Sequence, residues 1–160
     1  MIDFILYFFN IYTFYSNLFI KVCRIYKNNL YVANVGDSRC YLLNENGFNK
    51  ITIDHSVVEE LVKANIITEE EAKTHPRRNH ITRAIGTDEM VIVDIFKKQI
   101  DAGNKILLTS DGLTGFVDDN TIKDTLLKDE DVNDLTKELI NTANDVSGRD
   151  NISVILIEEK

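Results

Sequence analysis

The chain has 160 residues, 44% of them hydrophobic, and a formal net charge of -8. That length makes one domain, and that apolar content supplies a core for it. The acidic balance excludes a general nucleic-acid binder, whose phosphate backbone calls for a basic face; it also gives no overall attraction to phosphorylated substrates, so any phosphate chemistry needs a bound cation or local arginines.

From Phe4 to Ile20 the sequence carries no charge and many aromatics, and Lys21 ends the run. The run falls just short of the ~20 apolar residues of a membrane helix, and Asn10, Thr13, Ser16 and Asn17 dilute it. It also lacks the basic start and small-residue cleavage site of a signal peptide. The expectation is that Met1–Asn17 neither anchors the chain in a membrane nor forms an integral part of a sheet.

FIKVCRIY, from Phe19, alternates like a half-buried strand; Lys27-Asn28-Asn29 turns the chain into a partner over Leu30–Val35. Gly36-Asp37-Ser38 makes the next turn and Arg39–Asn44 the next strand, so an antiparallel meander is expected. Asp37 reads as a turn former with a local pairing to Arg39, not as a ligand. Cys23 and Cys40 fall on separate strands without metal-ligand spacing and read as buried small apolar residues.

A short strand follows around Phe48–Ile53. Ser56 then caps a helix over Val57–Ala64, with Glu59 completing a capping box, and Thr68-Glu69-Glu70-Glu71 repeats the pattern for a helix ending near His75-Pro76. Arg77, Arg78, Asn79 and His80 then offer several donors in a polar loop. His75 and His80 have no partner histidine or cysteine at ligand spacing, so no transition-metal site is expected at these histidines. A strand over Met90–Lys97, a turn at Asp101–Asn104 and the apolar run Ile106–Leu108 complete the sheets up to Asp111. Beyond it, Asp118-Asp119-Asn120 caps a helix over Thr121–Leu127, and another runs from Asp129–Asp131 to Val146, its Val132, Leu135, Leu139, Ile140 and Ala143 recurring at helical spacing. The last strand is Ile152–Ile157. Hairpins followed by helices give an α+β layered domain.

Two acids stand out. Asp111 follows the buried run and precedes Gly112, and Asp150 lies in Ser147-Gly148-Arg149-Asp150-Asn151 just before the last strand. If these strands are antiparallel neighbours, both acids reach one edge, where two carboxylates repel unless a cation lies between them. Mg²⁺ and Mn²⁺ favour such oxygen ligands. The alternative for Asp111 is a local turn cap.

Together LYVANVGDSR (Leu30–Arg39), the Asp-His-Ser of Ile51–Ser56, ITEEEAKTHPRRNHITRAIGT (Ile67–Thr87), LLTSDGLTGFV (Leu107–Val117) and GRDNISV (Gly148–Val154) resemble, in order, the metal-dependent serine/threonine protein phosphatases of the PPM (type 2C) family, in particular its small bacterial members. The resemblance implies an α-β-β-α sandwich of two antiparallel sheets with flanking helices, and metal-dependent hydrolysis of phosphoserine or phosphothreonine with Mn²⁺ or Mg²⁺. It implies Asp111 and Asp150 as ligands of the same ion, Asp54 as a ligand of a third, weaker ion, and Arg77, Arg78 and His80 as flap residues that meet the substrate. A phosphorylated protein, a serine/threonine kinase acting in opposition and a cytoplasmic location are the implied setting. Two ions would activate a bridging water, with no protein nucleophile. The family's bridging Asp-Gly-x-Gly-Gly turn does not occur in the 160 residues. Residues 1–18 are therefore expected to be a foreign or frame-shifted lead, and 19–160 a partial domain lacking its amino-terminal strands, weakly active or inactive by itself. A catalytically silent binding module and a membrane-tethered form stand as alternatives.

Overall fold

The computed structural model describes residues 4–10, 19–148 and 150–159. Arg149, residue 160 and residues 1–3 and 11–18 of the lead lie outside the described residues. Two four-stranded antiparallel sheets carry the fold. In the first, β1 (Phe4–Asn10), β2 (Phe19–Tyr26), β3 (Asn29–Val35) and β6 (Asp94–Gln99) lie in that order. In the second the order is β5 (Gly47–Lys50), β4 (Arg39–Asn44), β7 (Lys105–Thr109) and β8 (Val154–Glu158).

Alternation along the strands builds two cores. Cys23, Leu30 and Val32 of the first sheet meet Cys40, Leu42, Ile106 and Leu108 of the second between the sheets. On its other face the second sheet turns Tyr41, Leu43 and Leu107 towards the helices α3 (Asp111–Thr114), α4 (Asp119–Leu126) and α5 (Val132–Val146). Leu113, Ile122, Leu126, Leu139 and Ala143 fill that layer. Both cysteines are buried and outside any disulfide, and burial pushes the Cys23 thiol up to about 11, as expected of a thiol inside a core.

Helix starts follow the capping chemistry. Thr68 makes a reciprocal box with Glu71 ahead of α2 (Glu69–Thr74), and Ser56 accepts from the Glu59 amide ahead of α1 (Val57–Lys63). Asp118 and Asp131 cap α4 and α5 in the same way.

Three expectations are corrected. The lead supplies a strand: β1 pairs with β2 from Phe4↔Ile25 to Asn10↔Phe19. A run rich in aromatic and β-branched residues suits a pleated sheet, and β2 would otherwise be an edge. The strand expected from Met90 begins at Asp94, because its partner ends: Asn34 pairs with Asp94, and the chain then turns away at Gly36, whose φ is 105°. The strand expected to reach Ile53 stops at Lys50. Beyond it the Thr52 hydroxyl, rather than a backbone carbonyl, accepts the Cys40 amide at 3.0 Å.

Candidate metal centre

Asp111 and Asp150 come to one edge because β7 and β8 are antiparallel neighbours, with Thr109 opposite Val154. At that edge the two segments are stitched together by Ser110. Its amide donates to the Ser153 carbonyl at 3.1 Å, its hydroxyl donates to the Asn151 carbonyl at 3.0 Å, and the same oxygen accepts the Ser153 amide at 3.0 Å. Gly112 completes the fit. A Cβ added there would collide with the Asn151 carbonyl group, 2.8 Å from its carbon. Asp111 itself opens α3, the one-turn helix that replaces the expected turn.

The electrostatics show carboxylates without enough positive charge among them. Burial, then the Asp150 carboxylate, raises the Asp111 pKa, against the lowering effect of its own and the Gly112 amides and of Arg39. Asp37 is pushed up to about 6, first by burial and then by Asp111, with Asp54 adding to the rise and Arg39 opposing it. Asp37, read from the sequence as a turn former, thus shares one acidic field with Asp111. The Gly-Asp-Ser turn has a sufficient local explanation, and nothing in the sequence announces a neighbour so far along the chain.

Arg39 is the cation inside this group. Its Nε and Nη2 lie 2.9 and 2.7 Å from Asp54 Oδ2. Its Nη1 donates to the Tyr41 hydroxyl at 3.3 Å, which in turn donates to Asp119 at 3.0 Å. Asp54, expected as a ligand of a third ion, is buried with one oxygen held by Arg39. Among the described residues its Oδ1 has no hydrogen-bond partner, and it lies 3.6 Å from Lys50 Nζ.

The flap donors are not brought to the acids. Arg77, Arg78 and His80 are exposed on a turn and form no ion pair among the described residues. The arginine that does reach inward is Arg83, which donates to Asp94 at 2.9 Å.

A cation fits this donor set. The acids are hard oxygen donors, burial and neighbouring carboxylates raise the pKa values of Asp37 and Asp111, and a divalent ion would relieve that charge. Among the described residues, however, no three histidine, cysteine, aspartate or glutamate side chains converge closely enough to hold an ion as a group. Asp111 and Asp150 thus share an acidic edge without a third such side chain converging on them among the described residues.

A family model for Protein phosphatase 2C matches residues 20–152. The chain belongs to the protein phosphatase 2C family. Within that family it is 40% identical over 132 residues to the Serine/threonine phosphatase stp of Listeria welshimeri, covering 82% of this chain and 52% of the relative. It is 38% identical over 138 residues to Protein phosphatase PhpP of Streptococcus pneumoniae, covering 86% and 56%. The fold superposes on the Serine/threonine phosphatase Stp1 of Staphylococcus aureus with a TM-score of 0.86 at 40% identity, over 90% of this chain and 57% of that one. It superposes on the catalytic domain of the phosphatase PstP, a structure containing two manganese ions, with a TM-score of 0.79 at 32% identity, over 89% and 58%. The chain spans about half the length of the curated phosphatase 2C relatives it matches. The two sheets and the helical layer are those of the phosphatase 2C α+β fold.

Proposed function

We propose that this chain carries the carboxyl-side part of a metal-dependent phosphoprotein phosphatase site, with Asp111 and Asp150 as ligands of one Mn²⁺ or Mg²⁺. The observation that carries this is the Ser110 stitch, which fixes the two acidic segments at one sheet edge in a chain of this family. A bound divalent ion supplies Lewis acidity, which lowers the pKa of a neighbouring water and balances charge on the phosphoryl oxygens. The chain's own residues prepare that place. Asp111 and Asp150 provide the anionic oxygens, Ser110 and Gly112 set their spacing, and Arg39 limits the repulsion among Asp37, Asp54 and Asp111.

In this reading Asp54 balances Arg39 rather than serving a third ion, because one of its oxygens is already committed to the guanidinium. Arg77, Arg78 and His80 are exposed and free of ion pairs among the described residues, which suits a flap that meets a phosphorylated protein substrate. The setting is a cytoplasmic enzyme acting against a serine/threonine kinase. In support, no helix among the described residues is long and apolar enough to cross a membrane.

The 160 residues lack an Asp-Gly-x-Gly-Gly turn, and a two-ion unit that loses its bridging acid loses rate by several orders of magnitude. The chain by itself is accordingly expected to release phosphate from a phosphothreonine peptide far below ~1 per second in millimolar Mn²⁺, with a trace that Asp111→Asn removes. Turnover at that level or above, lost in the variant, would show that another residue replaces the bridging acid. No release from the parent, together with retained cation binding, would assign a silent binding module. That module is favoured by the lack of a converged three-ligand group among the described residues.

A further inference from the structure

His55 stands between two parts of the molecule that the site description leaves separate. It is buried, with 5% of its surface exposed. On one side it grips Gly36 twice: the Gly36 amide donates to His55 Nδ1 at 3.0 Å, and the His55 amide donates to the Gly36 carbonyl at 3.1 Å. Asn34, also buried, adds a hydrogen bond from Nδ2 to the same carbonyl at 3.3 Å. Gly36 has a φ of 105°, a conformation that side chains other than glycine's rarely adopt. The next residue is Asp37, so these bonds determine where its carboxylate is presented.

On the other side His55 Nε2 lies 3.1 Å from Asp94 Oδ2. The ring's protonation follows from the pairing. Because Nδ1 accepts the Gly36 amide, the proton of the neutral ring sits on Nε2 and is donated to Asp94. Arg83 Nη1, 3.0 Å from that nitrogen, is then a second donor drawn to the same carboxylate rather than a partner of the ring. Arg83 Nη1 also donates to the Ile92 carbonyl at 3.1 Å. The His55 carbonyl accepts the Thr82 amide at 2.8 Å, and the Val57 amide donates to the His80 carbonyl at 2.8 Å. The imidazole therefore links the Asp37 turn to Asp94, while the backbone of His55 and Val57 holds the other end of the segment 80–94, which follows the exposed arginines of the flap.

We infer that His55 is a positioning residue that couples the acidic end of the sandwich to the flap segment. Nδ1 holds the Gly36 amide, and Nε2 holds Asp94 and, through it, Arg83. Its consequence for cation binding rests on the proposed function; the coupling does not.

Two isosteric variants separate the halves of the link. In H55N the side-chain oxygen takes the place of Nδ1 and keeps the Gly36 amide while the bond to Asp94 is lost. In H55Q the side-chain nitrogen takes the place of Nε2 and keeps Asp94 while the acceptor for Gly36 is lost. The assay is amide hydrogen exchange by mass spectrometry on the full chain without metal, following peptides over 34–39 and 80–94. Loss of one such bond is expected to speed exchange about tenfold in the affected segment and less than about twofold in the other, as a net hydrogen bond of ordinary strength implies. H55N should loosen 80–94, H55Q should loosen 34–39, and Asp94→Ala, which breaks the link from the far side, should reproduce the H55N pattern. Mn²⁺ titration adds the second readout: weaker binding in H55Q, near-parental binding in H55N. Equal loosening of both segments in H55N and H55Q, or of neither, would overturn the inference. A parent chain that binds no Mn²⁺ would overturn the proposed metal site instead, and the exchange patterns tell the two failures apart.

Discussion

Gly112→Ala tests the closeness of the two acidic segments from the side of α3. The added methyl would sit 2.8 Å from the Asn151 carbonyl carbon and 3.3 Å from Ile152 Cα, where carbon atoms ordinarily approach to about 3.5–4.0 Å. The obstacle is backbone, so it cannot rotate away, and the start of β8 must retreat by about 1 Å to restore contact distance. The Ser110 hydroxyl bond to the Asn151 carbonyl, now 3.0 Å, would not survive that retreat. Overpacking of this kind costs about 1–3 kcal/mol, and the lost hydrogen bond adds about 1 kcal/mol. Alanine's better helix propensity returns at most about 1 kcal/mol. The expected net loss is about 1–3 kcal/mol in urea unfolding, with weaker Mn²⁺ binding because Asp150 moves away from Asp111. Unchanged stability and unchanged Mn²⁺ affinity would refute the close approach and, with it, the fixed spacing of the acids.

Two further substitutions probe the charge balance. Arg39→Met leaves Asp54 buried without its main counter-ion, so a loss of about 3–5 kcal/mol is expected in urea unfolding; a loss under about 1 kcal/mol would show the pair to be well solvated. Asp37 has its pKa raised from 3.8 to about 6, so the folded state holds that proton more tightly than the unfolded one. Its contribution to stability is complete below pH 3.8 and disappears as pH rises through about 6; Asp111 is raised in the same sense. The metal-free chain should therefore lose up to roughly 3 kcal/mol between those limits. Asp37→Asn should be the more stable chain at pH 7, with a flatter profile, and a less stable variant there would show the carboxylate to be well compensated.

Reading the sequence went furthest where a local rule and a tertiary contact agree. The apolar runs before Asp111 and after Asp150 are neighbouring strands of one sheet, the first buried and the second half-buried between the two cores, and the Thr68 box forms because its partners lie within one turn. It failed where the deciding neighbour is distant. Hydropathy does not separate a sheet strand from an unattached lead, so β1 emerged only with its pairing to β2. The apolar Met90–Val93 segment reads as strand, but a strand needs a partner, and β3 ends opposite Asp94. Asp37, Arg39, Ser110 and His55 each have a local explanation in turns or strand ends, while their partners Asp111, Asp54, Asn151 and Asp94 come from other segments. The flap residues show the opposite case: Arg77, Arg78 and His80 suggested chemistry by type, yet among the described residues Arg83 is the flap-side cation that reaches a buried network.

The most direct measurement is isothermal titration of Mn²⁺ into the parent chain, Asp111→Asn and Asp150→Asn. On the proposed assignment each substitution replaces an anionic ligand with a neutral one at the same ion, so the parent should bind and each variant should bind at least about tenfold more weakly, the loss of roughly one charge-assisted contact. Parental affinity in both variants would show that Asp111 and Asp150 only form turns.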